Sequence, residues 1–129
     1  MATIFSRIIA GEIPAFKIKE NERFLAFLDI RPLTYGHTLV IPKIEEDYIF
    51  DLTDEDYTDL FLFAKSVSQL LRSKITCERI GMSVVGLEVP HAHIHLIPIN
   101  SIKDMNFEKP NKNIGLDDLK KMHSLLTGN

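Results

Sequence analysis

The chain carries a single cysteine, Cys77, among its 129 residues. One thiol can form neither an internal disulfide nor a structural zinc site of several cysteines, and such usage fits a reducing compartment. Long apolar runs are also missing: none approaches the roughly 20 residues of a membrane span. Met1 to Pro14 lacks a basic segment followed by an apolar run, and Glu12 interrupts what hydrophobicity there is, so no signal peptide is expected. Positive charge is not in excess. Lys and Arg number 15 against 18 Asp and Glu, for a formal charge of -3, which is not the clustered basic footprint of a nucleic-acid binder. Internal repeats and low-complexity tracts are absent. The expectation is a cytoplasmic protein with neither membrane nor nucleic acid as a partner.

What is present is enough to bury a core: hydrophobic residues make up 45% of one domain-sized chain. Thr3 can cap a short helix over about Ile4 to Ala10, ended by Gly11 and Pro14. Phe16 to Glu20 and Phe24 to Leu28 alternate like strands around a tight turn at Asn21, Glu22 and Arg23. His37 to Ile41 reads as a third strand stopped at Pro42. Thr53 starts the strongest helix, with Asp54, Glu55 and Asp56 at the positive end of its dipole and Arg72 and Lys74 at the other. Along it Tyr57, Leu60, Phe61, Ala64, Val67, Leu70 and Leu71 recur at helical spacing. Glu78 to Val85 is a fourth strand, Gly86 to Pro90 a turn, and His91 to Pro98 a fifth strand. A polar stretch leads to a last helix, Leu116 to Leu126, on which His123 is expected to be exposed. The layout is α+β: an antiparallel sheet of about five strands with one long helix and short terminal helices. Residues 1–102 form the main unit, and 103–129 a C-terminal extension of the same single domain.

The chemistry concentrates in Val89-Pro90-His91-Ala92-His93-Ile94-His95-Leu96-Ile97-Pro98. Alternation across a strand puts His91, His93 and His95 on one face, and Ala92, Ile94 and Leu96 on the core side. Three readings stand. The histidines form a satisfied structural face. They bind zinc or iron, with His37 or Glu88 completing the set. Or an imidazole is the nucleophile, attacking phosphorus through a neutral nitrogen with its neighbours steadying the charge. The third is preferred.

The run His91-Ala92-His93-Ile94-His95-Leu96-Ile97 resembles the motif of the histidine-triad family. Thr3-Ile4-Phe5-Ser6-Arg7-Ile8-Ile9 with Glu12-Ile13-Pro14, Phe24 to Pro32, and Gly36-His37-Thr38-Leu39-Val40-Ile41-Pro42-Lys43 are similar to that family's other segments, in order. The resemblance implies an α+β homodimer; the histidine cluster takes the place of a metal in the attack, so no cofactor or metal is expected. Its implied activity is release or transfer of a nucleoside monophosphate from a phosphoramidate, acyl-adenylate or dinucleotide, through a nucleotidyl-histidine intermediate, with a small purine nucleotide as substrate. Carried over by position, His93 is the nucleophile, His91 orients it through its backbone carbonyl, and His95 contacts the phosphate. Asp29 would hold the ribose hydroxyls, and Phe5, Ile8, Phe27 and Ile30 the base. The residues themselves leave other roles open: Asp29 as a turn residue, the four apolar side chains as core, His37 as a strand-end cap.

The sequence departs from the family in places. A fourth histidine often follows the Pro-Lys that ends the third strand; here Ile44-Glu45-Glu46-Asp47 follows, and those acids are expected to point outside. Leu87 stands where glutamine is common. Thr3 and Ser6 stand where some members carry two zinc-binding cysteines, so zinc is not expected there. The missing fourth histidine and the short turn Val84 to Pro90 before the triad keep a catalytically weak nucleotide-binding module in play as a rival; the other is a metal-dependent enzyme with the three histidines as ligands.

Overall fold

A computed structural model describes residues 2–129. Helix α1, Ile4–Ile9, starts at Thr3, whose hydroxyl accepts the Ser6 amide while the Ser6 hydroxyl accepts the Thr3 amide at 2.6 Å. That reciprocal pair satisfies two donors a helix start leaves without partners. Strands β1 (Lys17–Glu20), β2 (Phe24–Leu28) and β3 (Thr38–Pro42) follow, then a 3-10 turn at Ile49–Asp51 and the long helix α2, Asp54–Lys74, capped by Thr53. Strands β4 (Arg79–Ser83) and β5 (Ile94–Ile99), a 3-10 turn at Ile102–Met105 and helix α3 (Leu116–Thr127) complete the chain. The five strands form one sheet in the order β1-β2-β3-β5-β4, every pair antiparallel. The α+β architecture is the expected one.

Alternation along β2 and β3 divides the core in two. Phe24, Ala26, Leu28 and Val40 face α2 and pack with Leu60, Phe63, Ala64, Val67 and Leu71. Leu25, Phe27, Leu39 and Ile41 face the opposite side, where Phe5 and Ile8 of α1 cover them. Both faces of these strands are therefore buried, which is why Phe24–Leu28 is apolar throughout. Ahead of β3 the chain turns at Gly36, where φ is +92° and a Cβ would collide with the Ile75 side chain. Glycine is required there for backbone and for space.

Two segments differ from expectation. The fifth strand begins at Ile94, not His91. In the β3–β5 register Val40 pairs with Ile94, and continuing outward soon meets Pro42, which has no amide to donate. The ladder stops, and the Ala92 amide bonds the Glu46 carbonyl at 2.7 Å instead. Ala92, Ile94 and Leu96 still enter the α2-side core. Second, His123 is half-buried, not exposed: α3 packs on β1 and α2, and the ring Nε2 donates to the Lys17 carbonyl at 3.0 Å. Among the described residues no helix is long and apolar enough to cross a membrane.

Candidate active site

The three triad histidines do not present a common face of rings. The chain turns tightly before β5, the His91 amide bonding the Val89 carbonyl at 2.8 Å. The buried His91 ring points back into the fold, where its Nε2 donates to the Pro42 carbonyl at 2.8 Å and its Nδ1 lies 3.5 Å from the Thr3 hydroxyl. What His91 offers its neighbour is its carbonyl. His93 Nδ1 donates to that oxygen at 2.7 Å. A ring that donates through Nδ1 and is neutral keeps its lone pair on Nε2. Phe5 stands edge-on to the His93 ring at 5.1 Å between centroids, and the His95 ring is 5.0 Å away.

His95 belongs to a second chain of hydrogen bonds whose polarity follows from chemistry alone. The Leu33 amide lies 3.0 Å from His37 Nδ1, and a backbone N–H can only donate, so that nitrogen accepts. His37 therefore carries its proton on Nε2 and donates it to His95 Nδ1 at 2.9 Å. His95 is left with a proton on Nε2. The pair thus presents a fixed N–H donor beside a fixed lone pair on His93. His37 immediately precedes β3 in the same alternation as Leu39, and Leu39 pairs with His95. Sequence reading assigned His37 to a strand cap or a metal set; the signal for its real position was that shared parity on a neighbouring strand.

His93 and His95 open into a cavity of about 510 Å³ whose walls include Asp29, Arg31, Leu33, His37, Glu88 and Phe107. Asp29 follows β2 and has two roles. One oxygen accepts the Arg31 amide at 2.8 Å, closing the turn, and the other lies 3.6 Å from His37 Nε2. Phe5, Ile8 and Phe27 pack in the α1-side core and do not line the cavity. Ile30 is 67% exposed and also lies outside its wall. Of the acids that replace the fourth histidine, Glu45 and Asp47 are exposed and Glu46 is half-buried; Asp47 shares the wall of a neighbouring cavity with His93, so they do not all point away from the site as expected. Phe107, Glu108 and Pro110 of the polar stretch after β5 form one wall of the cavity, and nothing in their local pattern announces this.

Burial sets the charge state. It pushes the His37 imidazole down to about 4, with His93 nearby adding to the effect. His95 falls to about 3 through burial, then through His37 and His93. His93 is also lowered, mainly by burial, against the opposing pull of the His91 carbonyl and Asp29. At neutral pH all three are uncharged, as the accepting Nδ1 atoms of His37 and His95 require. Folding stability follows from the sign. An unfolded histidine takes a proton near pH 6.5, whereas folded His37 and His95 refuse it until about 4 and about 3. Below pH 6.5 the unfolded chain binds more protons, so stability falls with pH by up to about 1.4 kcal/mol per pH unit per group. Urea midpoints are expected to be level above pH 7 and to drop steadily from 6.5 towards 4. A level profile across that range would contradict the burial of neutral rings.

Asp29, His37 and His95 each place a ligand-type atom within 4.8 Å of the others. They do not fit a metal. For His37 Nε2 to ligate, its proton would have to move to Nδ1, where it would face the Leu33 N–H, donor against donor. The zinc position of some family members fares no better: the Thr3 and Ser6 hydroxyls are engaged in the α1 cap, and zinc prefers thiolate, imidazole or carboxylate.

The chain is similar to known proteins in sequence and in fold. The profile of the HIT domain family matches residues 10–102. The Hit protein of Bacillus subtilis is 40% identical over 102 residues, covering 74% of this chain and 69% of its own. The adenosine 5'-monophosphoramidase of Saccharomyces cerevisiae is 35% identical over 127 residues, covering 97% of this chain and 80% of its own. The crystal structure of a zinc-bound histidine triad family protein from Mycobacterium smegmatis superposes with a TM-score of 0.81 at 26% identity, covering 99% of this chain and 95% of that one. A match over most of the chain, on the residues that hold the His93 and His95 arrangement, makes this protein a member of the histidine-triad (HIT) family.

Proposed function

We propose that the protein is a nucleotidyl hydrolase or transferase that releases a nucleoside monophosphate from a phosphoramidate, acyl-adenylate or dinucleotide through a nucleotidyl-His93 intermediate. The observation that carries this reading is the 2.7 Å bond from His93 Nδ1 to the His91 carbonyl, which leaves a neutral Nε2 lone pair beside the His95 N–H. The relatives from Saccharomyces cerevisiae and Schizosaccharomyces pombe, 35% and 34% identical, are adenosine 5'-monophosphoramidases by name, and they support the same chemistry.

For a phosphoramidate the steps balance as follows. His93 Nε2 attacks phosphorus, the P–N bond breaks, and the amine leaves with the bonding pair and a proton taken from solvent. The nucleotidyl group sits on a histidine that still holds its Nδ1 proton, so the ring is cationic and a good leaving group. The His91 carbonyl steadies that charge, and His95 Nε2–H donates to a phosphoryl oxygen as it becomes more negative. Water then attacks phosphorus and the N–P bond breaks. The nucleoside monophosphate departs, His93 recovers its lone pair, and the water protons go to solvent and the released amine. Asp29 accepts the ribose hydroxyls. Of the residues proposed for the base, Ile30 presents apolar surface between the cavity-lining Asp29 and Arg31, while Phe5, Ile8 and Phe27 back the histidines from the core.

Incubation with adenosine 5'-phosphoramidate, with release of adenosine monophosphate followed by chromatography, tests the proposal; multiple turnovers are expected. The rival is a weakly catalytic nucleotide-binding module, and it rests on Leu87, which is 88% exposed and offers no polar group to a leaving group. Binding without turnover would favour it.

Homodimerisation is proposed as well. Strand β4 ends the sheet and has one neighbour only, leaving an open edge of backbone donors and acceptors. Met82 and Val85 beside it and Leu62 on α2 are exposed apolar side chains. Sedimentation is expected to give twice the 14.7 kDa chain mass, and Met82→Lys to weaken the dimer. A chain-mass species at tens of micromolar would contradict it.

A further inference from the structure

We infer that the segment after β5 selects the leaving group, and that the preferred substrates are nucleoside phosphoramidates whose amine carries a second positive charge. The inference rests on the site acting as a nucleotidyl hydrolase and adds which amine it takes. Phe107, Glu108 and Pro110 lie beyond the 10–102 span matched by the family profile, yet they wall the cavity. The segment is tied down: the Asn111 amide donates to the Pro32 carbonyl at 2.9 Å, and the Glu108 amide to the Asn106 side chain at 3.1 Å. Phe107 stands edge-on against the His95 ring at 4.7 Å between centroids.

The charges around this wall are uneven. Glu108 from the segment and Glu88 from the loop before the triad line the same cavity as His93, and both are exposed acidic side chains. Arg31 is the cation among the lining residues, and it neighbours Asp29, on the ribose side of the site. Two acids in the cavity wall oppose an anionic leaving group, such as a second nucleotide or a carboxylate, because the phosphoryl group is already negative. They favour a departing amine with an ammonium group further along its chain. Phe107 supplies apolar surface for the carbons between the two nitrogens. The bonds made and broken are those given above; the charge acts on which amine approaches and leaves, at the range and strength of exposed pairs.

The test uses three adenosine phosphoramidates with amines of equal length, ending in an ammonium, a hydroxyl or a carboxylate. For the full chain, kcat/KM is expected to fall in that order, by about tenfold or more from first to last, and the spread should shrink between 50 and 500 mM salt. In the double variant Glu88→Gln with Glu108→Gln the ammonium-to-carboxylate ratio should approach one. Phe107→Ala should lower kcat/KM for all three while preserving the order. Equal rates for the three substrates in the unaltered chain would overturn the charge selection alone. So would an unchanged ratio in the double variant. Failure to turn over any of the three would defeat the hydrolase reading, and this inference with it.

Discussion

His93→Ala is expected to lower turnover of an adenosine phosphoramidate by about 10⁴-fold or more, with little loss of stability. The size of the effect follows from what the ring supplies. Its Nε2 is the one atom in the cavity with both a free lone pair and a partner, the His91 carbonyl, placed to stabilise the cation formed on attack. His95 cannot substitute, because its Nδ1 is occupied by His37 and its Nε2 carries the proton. The modest stability cost follows from position. His93 faces an existing cavity, so truncation enlarges an open space and does not create a sealed one. Imidazole added to the variant should restore part of the rate, since the same atom is then supplied from solution. A variant that keeps its rate would remove His93 from the mechanism.

His37→Ala is expected to cost about 3 kcal/mol of folding stability and about 10²-fold in kcat. His37 is 1% exposed, and removing it orphans two groups at once, the Leu33 N–H and His95 Nδ1. Without that donor His95 is free to take the other tautomer, and its Nε2–H is no longer guaranteed to meet the phosphoryl oxygen. His37 is thus a positioning residue acting through His95, and a second variant separates its two effects. Asn has an oxygen where the ring has Nδ1, so His37→Asn can still accept from Leu33 but cannot reach His95. It should recover much of the stability, read by urea unfolding, and little of kcat. Recovery of both would reduce His37 to a packing role.

The elements most readable from sequence were those whose cause is local. Thr53 with three acids behind it defines the start of α2, and the apolar block Phe24–Leu28 bounded by a turn defines β2. The triad was visible as a pattern, but the geometry it adopts was not. Strict alternation of His91, His93 and His95 implies one strand face, yet the strand stops short because Pro42, on another strand, cannot donate. The His91 ring then leaves the site and its carbonyl takes over. That outcome depends on β3–β5 register, a non-local quantity. The same register brings His37 to His95 across 58 positions of sequence. Phe107 and Glu108 were unreadable for a similar reason: they sit in a polar stretch without periodicity, and only the tie from Asn111 to Pro32 lays that stretch against the histidines. Phe5, Ile8 and Phe27 show the converse, since their apolar character was plain but did not say whether they line a cavity or fill a core.

The most direct measurement is a rapid base quench of the protein with adenosine phosphoramidate, followed by mass spectrometry of the tryptic peptide Ile80 to Lys103. Base preserves a P–N bond that acid would cleave. A nucleotidyl adduct is expected on His93 within the first turnover, and none in His93→Ala. Adenosine monophosphate released at the normal rate by His93→Ala, or an adduct carried by another residue, would contradict the account.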